Sequence, residues 1–89
     1  MQNTDTQKLN ELHKKLKSLI EEVYLKYKES LNKQDREDCE EYLEQGEYEL
    51  TISNLSASLA KEKIGIDQDT AVKISQIYNL MQIPEQEIQ

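Results

Sequence analysis

The chain contains few of the residues that force turns, form cross-links or make large aromatic contacts. Its 89 residues include two glycines, one proline, one cysteine, no tryptophan and no phenylalanine. Glycine and proline are thus too scarce for many tight turns, and no segment alternates apolar and polar residues as a strand does. These absences exclude a turn-rich β fold. They predict an all-α protein, a compact bundle of about four helices in a single domain covering residues 1–89.

The scarcity of cysteine and of long apolar runs limits where such a chain can work. Cys39 is alone, so it cannot form an internal disulfide and supplies no metal-ligand spacing. The first residues lack the basic start and apolar run of a signal peptide. No apolar run approaches the roughly 20 residues of a membrane span. We therefore expect a cytoplasmic protein that makes no membrane contact and holds no metal or other cofactor.

Residues suited to catalysis are equally scarce. His13 is the only histidine, and no nucleophile or acid stands beside it at a spacing that would indicate a catalytic arrangement. Two carboxylates could serve as acid and base, but so small a helical chain has little room for a pocket. We expect no enzymatic activity.

Apolar periodicity predicts four helices. The first runs from about Thr6 to Ser30, and the others cover about residues 35–45, 47–63 and 68–82. The polar side of the first helix places opposite charges at i,i+4 spacing, which is typical of a solvent-facing surface. These pairs are Glu11–Lys15, Lys17–Glu21, Glu22–Lys26 and Glu29–Lys33. The residues expected in the core are Leu9, Leu12, Leu16, Leu19, Ile20, Val23 and Tyr27 in helix one, Cys39, Tyr42 and Leu43 in helix two, Tyr48, Ile52, Leu55 and Leu59 in helix three, and Ile74, Ile77, Tyr78 and Met81 in helix four.

Polar residues and glycines indicate where these helices begin and end. Either Asn32 or Asp35 fits the N-cap of the second helix, and Gly46 fits the left-handed position just after its end. Gly65 is expected to close the third helix, and Asp67 to cap the fourth. Ile66 would then form half of a hydrophobic staple.

The ends of the chain carry weaker signals. Pro84 is expected to end the fourth helix because proline cannot continue it. Residues 1–5 and 85–89 are expected to be frayed.

Residues 35–49 hold the whole net charge of the chain. This segment contains eight carboxylates and one base, Arg36, for a charge of −7, which equals that of the full chain. The remaining residues balance at zero, with ten acids and ten bases. A concentrated negative potential attracts basic partners and repels nucleic acid. We therefore expect a basic protein partner and no binding of nucleic acid.

Two interpretations of this segment stay open. Most of its acids lie opposite the apolar residues of the second helix, so a solvated face would explain their position. Yet residues 35–45 contain no lysine, and their acids repeat at i,i+3 and i,i+4 spacings that each destabilise an isolated helix by roughly 0.2–0.5 kcal/mol. A basic partner would relieve that repulsion. The predicted binding residues are Glu37, Asp38, Glu40, Glu41, Glu44, Glu47 and Glu49, together with Tyr42 and Tyr48, which serve either as core residues or as interface anchors.

The segment from Glu41 to Ile83 also contains a series of short motifs. It comprises the turn Gln45-Gly46-Glu47-Tyr48, the spaced leucines Leu55 and Leu59, the link Lys63-Ile64-Gly65-Ile66-Asp67, and the apolar residues Ile74, Ile77, Leu80 and Met81. In these features the chain resembles the MafI-type immunity proteins of bacterial polymorphic toxin systems, including CdiI-like proteins of contact-dependent growth inhibition.

The resemblance implies a small helical antidote that neutralises a cognate toxin domain, an EndoU-like or other RNase, as a monomer in a 1:1 complex. A protein of a different class also fits the sequence. The apolar stripe of the first helix is long enough for coiled-coil pairing, which would suit a self-associating helical adaptor or regulatory interaction module.

Overall fold

A computed structural model describes the backbone of residues 2–82 and the side chains of residues 7–82. Four α-helices follow one another in this part of the chain, with a 3₁₀ turn (Lys28–Ser30) directly after the first. They are α1 (Gln2–Tyr27), α2 (Lys33–Glu44), α3 (Tyr48–Lys61) and α4 (Gln68–Met81). Residues 2–82 contain no strand, so the predicted all-α bundle of about four helices is confirmed.

The helix boundaries differ from the predicted ones by a few residues. α1 begins at Gln2 instead of Thr6. α2 begins earlier than expected because Asn32, one of the two candidates, is its N-cap and accepts a hydrogen bond from the Asp35 backbone N–H at 2.8 Å. α2 therefore includes Lys33, which the predicted boundary left out. The expected stop at Pro84 and the expected frayed end at 85–89 lie outside the described residues.

The end of α2 follows the prediction. Gly46 has φ +74°, a left-handed conformation that costs glycine little. Its N–H donates to the Leu43 carbonyl at 3.1 Å, and the N–H of Glu47 donates to the Tyr42 carbonyl at 2.8 Å. This pair of bonds is the Schellman motif, which satisfies carbonyls at the helix end and reverses the chain toward α3.

The end of α3 corrects the prediction. Lys63, with φ 56°, occupies the left-handed position, whereas the expected Gly65 lies two residues further along. The N–H of Lys63 donates to the Ala60 carbonyl at 3.1 Å, and that of Ile64 donates to the Leu59 carbonyl at 2.9 Å. The same hydrogen bonds as at α2 thus form around a lysine, so the presence of glycine did not mark the end of this helix.

α4 runs antiparallel to α1 and is fixed to it by polar contacts at its start. The Asp67 side chain caps α4 by accepting from the Thr70 backbone N–H at 2.8 Å, as predicted. The Tyr27 hydroxyl donates to Thr70 Oγ1 at 3.2 Å, and the Asp67 N–H donates to the Tyr27 hydroxyl at 3.4 Å. Lys26 forms an ion pair with Asp67. Together with the cap, this pair holds the pKa of the Asp67 carboxyl well below its usual range.

α2 and α3 form a second antiparallel pair. Asn54 Nδ2 donates to Cys39 Sγ at 3.5 Å, and Lys61 Nζ lies 3.3 Å from Asp35 Oδ2. These contacts lie progressively farther from the turn at Gly46, as expected of an αα-hairpin. α1 contacts α3 and α4 and meets α2 through Tyr24, so it joins both pairs.

The two pairs share one core, whose members come from all four helices and from the connection after α1. These buried residues are Leu16, Ile20, Val23, Tyr24, Tyr27, Leu31, Cys39, Leu43, Ile52, Leu55, Leu59 and Ile77. Fully burying a side chain of this size contributes about 1.5–3 kcal/mol, so this cluster is the main favourable term of folding. Several residues expected in the core are only half-buried: Leu9, Leu12, Leu19, Tyr42, Tyr48, Ile74, Tyr78 and Met81.

Two further expectations are corrected by the packing. Glu22 and Lys26 do not pair with each other but reach α4, where their partners are Lys73 and Asp67. Ile66 is 40% exposed and lies beside Ile74 at a shallow groove, instead of being buried as part of a staple. Among residues 2–82, no helix combines the length and the apolar character that crossing a membrane requires.

Candidate functional site: the acidic face of α2

The predicted binding residues lie on α2, on the turn that follows it and at the start of α3. We call the α2 acids Glu37, Asp38, Glu40, Glu41 and Glu44 the acidic face. All of them are exposed except Asp38, which is half-buried. The opposite side of α2 contributes Cys39 and Leu43 to the core, at 0% and 9% exposure. The helical repeat that buries these two residues is what turns the acids outward.

Two members of the charged segment serve the fold. Asp35 is only 8% exposed and forms an ion pair with Lys61 on α3, although Lys61 does not approach in hydrogen-bond geometry. The guanidinium of Arg36, the single base of the segment, lies 3.8 Å from the carboxylate of Glu29, just before α2. The base that could have neutralised the segment is thus directed at an acid outside it.

The acidic face therefore has no counter-charge of its own. No basic group among the described side chains lies within ion-pair distance of its five carboxylates or of Glu47 and Glu49. The last turn of α2 contains no base, so the carboxylate of Glu44 stands at the negative end of the helix dipole. This arrangement leaves the local negative potential open to an external cation or basic protein.

Glu40 has a structural role that the sequence did not reveal. Tyr24 of α1, which is 3% exposed, donates its hydroxyl to Glu40 Oε2 at 2.5 Å and lies 3.4 Å from the Arg36 carbonyl. Burial, followed by this hydrogen bond to Glu40, raises the pKa of the Tyr24 hydroxyl. Glu40 is consequently held against α1, whereas no such contact positions Glu37, Glu41 or Glu44.

The two candidate tyrosines occupy intermediate positions. Tyr42 and Tyr48 are both half-buried, so each has part of its ring in the fold and part available at the surface. The Tyr48 ring centroid lies 6.0 Å from that of the exposed His13, at an interplanar angle of 58°. This contact ties the start of α3, close to Glu47 and Glu49, to α1.

Two recesses lie beside the predicted binding residues, and the second of them borders the acidic face. One is a cleft of about 340 Å³ at the end of the bundle, where residues 46–49 and His13 meet the last residues of α4. The other is a groove of about 260 Å³ between α1 and α2, and Glu40 and Glu44 form part of its wall. The acidic face is thus not a bare helix surface, because one of its edges borders an apolar depression.

Sequence reasoning missed the exposed Leu25 in this groove. Leu25 is 62% exposed on α1, and it lies off the predicted apolar stripe of that helix. That offset was the signal available in the sequence, since an apolar residue outside the buried stripe must face solvent, another helix or a partner. Tyr24 was missed for a related reason, because its burial depends on α2 lying across it.

The cysteine is structural. Cys39 has 0% exposure, and burial raises the pKa of its thiol, although the Asn54 hydrogen bond acts in the opposite direction. A buried thiol of this kind is a poor nucleophile. Within the described residues, no three His, Cys, Asp or Glu side chains are arranged to hold a metal ion.

Comparisons with known proteins find no relative of this chain. No protein-family model matches it, and neither the curated proteins nor the solved structures include a match.

Proposed function

We propose that this chain is an immunity protein that binds a cognate toxin domain through the acidic face and neutralises it without chemistry of its own. The partner is a basic RNase domain of the EndoU-like or a related type. The complex is 1:1 and cytoplasmic, and it belongs to a polymorphic toxin or contact-dependent growth inhibition system.

The observation that carries this proposal is the set of carboxylates without counter-charge on α2, on the turn after it and at the start of α3. Seven of the eight acids of the segment remain once Asp35, paired with Lys61, is set aside. They lie on a hairpin whose other side packs into the core, so the negative surface is presented on a rigid support. Rigid, complementary charge speeds association and selects basic partners over others.

A nuclease is the partner class that suits this surface. Enzymes that cleave RNA hold phosphates with lysine and arginine, so their substrate grooves are basic. A protein bearing several carboxylates on one helix can bind those same residues and exclude the nucleic acid. The half-buried Tyr42 and Tyr48 add aromatic surface at the edge of the acidic residues, which suits interface anchors.

A purely solvated face explains the outward position of these acids but not their lack of counter-charge. Glu37 and Glu41 are four residues apart, and Glu41 and Glu44 three, so each pair opposes helix formation by roughly 0.2–0.5 kcal/mol at low salt. On α1 and α4, by contrast, Glu22, Lys26 and Lys73 all have partners of opposite charge. A basic partner would relieve the repulsion that remains between the carboxylates of α2.

The self-associating adaptor loses its main support. That alternative relied on the apolar stripe of α1 being available for coiled-coil pairing. Leu16, Ile20, Val23 and Tyr27 of this stripe are at most 9% exposed, because α3 and α4 cover them. Pairing through the same stripe would require the bundle to open.

The decisive experiment is a binding and rescue assay with the toxin domain encoded beside this chain's gene. The double variant Glu41→Lys/Glu44→Lys is compared with Glu11→Lys/Glu62→Lys, which changes the charge equally at exposed positions outside the acidic face. Glu40 is left unchanged because its substitution would also break the hydrogen bond from Tyr24. Stopped-flow association rates are measured at several salt concentrations, and growth is scored in cells producing the toxin.

We expect the acidic-face variant to associate on the order of 10- to 100-fold more slowly than wild type at low salt and to lose most of the salt dependence. The control variant should retain both, and only the acidic-face variant should fail to protect cells. Equal behaviour of the two variants, or no protection by the wild-type chain, would overturn the proposal.

A further inference from the structure

The groove between α1 and α2 combines an apolar interior with a negative rim. Its interior is formed by the Tyr24 ring and by Leu43, which is 9% exposed, while Leu25 stands at the edge with 62% exposure. Glu21, Glu40 and Glu44 provide three carboxylates around this interior, against the single ammonium group of Lys17. The groove therefore combines apolar surface with a net negative edge.

One wall of this groove is held in place before any partner arrives. The hydrogen bond from the Tyr24 hydroxyl to Glu40 Oε2, 2.5 Å long, fixes the Glu40 side chain against α1. Because Tyr24 is itself buried, the bond ties the acidic face to the core. A wall fixed in this way loses little conformational entropy on binding, which favours affinity.

Leu25 is the group that most lacks a partner. The neighbouring α1 residues Val23, Tyr24 and Tyr27 are all buried, so Leu25 is the apolar residue of this turn that faces out. A single exposed leucine is ordinary on a protein surface. An exposed leucine beside an apolar depression is different. A partner's side chain that packs there buries the leucine and the depression together, which increases the favourable free energy of binding.

We infer that the α1–α2 groove is the anchor pocket of the toxin interface and takes an aliphatic side chain of the toxin that is flanked by lysine or arginine. This inference rests on the proposed function and adds the chemistry of the contact. The aliphatic group packs on Leu25, Leu43 and the Tyr24 ring, while the flanking bases lie against Glu21, Glu40 and Glu44. Charge steers the toxin to the site, and the apolar contact holds it there.

The size and the charge of the groove favour this occupant. At about 260 Å³ it is smaller than the roughly 300–1,000 Å³ typical of sites for drug-sized ligands, so a side chain fits better than a free small molecule. A second copy of this chain would bring another excess of acid to the same rim, since the full chain carries −7. Like charges at close range oppose such pairing.

The test uses the full chain and synthetic helical peptides of about 18 residues, long enough to hold helical structure. The first peptide carries a central leucine flanked by lysines and arginines. The second replaces that leucine with alanine, and the third keeps the leucine but replaces the bases with glutamates. Affinity is measured by fluorescence anisotropy, and the contact is mapped by amide chemical shifts of the isotope-labelled chain.

The matched protein variants are Leu25→Ser and Leu50→Ser. Both replace an exposed leucine, at 62% and 49% exposure, but Leu50 lies on α3 and does not line the groove. Neither change opens the core, so both variants should fold.

We expect the basic leucine peptide to bind best and to shift the amides of Tyr24, Leu25 and Leu43. Its alanine version, and the Leu25→Ser variant, should each bind about tenfold or more weakly, while Leu50→Ser should match wild type. Equal affinity for the leucine and alanine peptides would overturn the inference, as would shifts confined to Glu37, Asp38 and Glu41, which lie outside the groove, or no binding of any peptide. The proposed function would then still be decided separately, by the toxin rescue assay.

Discussion

The α1–α4 pair and α2 use charge in opposite ways. Lys26, Asp67 and Lys73 make ion pairs that join or brace α1 and α4, and Thr70 receives a buried hydrogen bond there from Tyr27. On α2 the acids of the exposed side have no counter-charge within the described residues. The difference shows that surface charges of this small fold are paired where α1 and α4 meet. The acidic face is therefore a property of α2 and not of the composition as a whole.

The largest expected effect tests whether the α1–α4 pair is essential to the fold. Ile77 has 0% exposure on α4, so Ile77→Ala should lower the free energy of unfolding by about 2–5 kcal/mol through lost burial and a residual cavity. Urea unfolding followed by circular dichroism measures this. Val72→Ala, at a position 49% exposed on the same helix, serves as the control and should change stability by no more than about 0.5 kcal/mol. Similar small losses for both variants would mean that α4 is dispensable.

The next effect concerns the hydrogen bond between Tyr27 and Thr70. Thr70 is 1% exposed, so Thr70→Val keeps the shape but removes the acceptor for the Tyr27 hydroxyl, and we expect a loss of about 1–2 kcal/mol. Tyr27→Phe removes the same bond from the other side and also removes the acceptor for the Asp67 N–H. The double variant should lose less than the sum of the two single variants, because they share one interaction. Additive losses in thermal or urea unfolding would show that each residue acts through other contacts. Ser75→Ala, on the exposed side of α4, is the control.

Neutralising acids of the acidic face should raise the free energy of unfolding instead of lowering it. Glu37→Gln/Glu41→Gln/Glu44→Gln removes like-charge neighbours, and we expect the free energy of unfolding to rise by about 0.5–1 kcal/mol at low salt. The gain should shrink as salt is added, because exposed charges are screened. Urea titrations at low and high salt check this. A loss of stability at both would mean that these acids support the fold, and the contrast with the α1–α4 pair would disappear.

The smallest effect is a dependence on pH at the start of α4. Folding lowers the pKa of Asp67, so its contribution to stability is fully present above the usual aspartate value of about 4 and declines as the pH falls below it. Asp67→Asn retains an N-cap but loses the ion pair with Lys26. Its stability should be lower than that of wild type at pH 7 and should fall less steeply below about pH 4. Parallel acid titrations would contradict the assigned role of this ion pair.

Local sequence signals predicted much of the fold. The caps Asn32 and Asp67 and the left-handed Gly46 depend on residues within a turn of the helix end, so they could be read directly. Lys63 could not, because its left-handed conformation follows from the hydrogen bonds at the end of α3 and not from its residue type.

The long-range contacts of the site were beyond local sequence patterns. The clustering and outward direction of the α2 acids follow from the helical repeat, which buries Cys39 and Leu43. Asp35 pairs with Lys61, and Tyr24 donates a hydrogen bond to Glu40. Both contacts depend on which helices pack together. The groove is unpredictable for the same reason, since its two sides are far apart in the sequence.

The position of α1 has a consequence for how the molecule comes apart. The 26-residue helix α1 contacts α3 and α4 directly and α2 through Tyr24, so it is the helix that connects all the others. Loss of α4, or of the α2–α3 pair, would leave part of α1 uncovered, so we expect the helices to unfold together. A protease cut in the middle of α1 is therefore expected to unfold the acidic face together with the helices that support it.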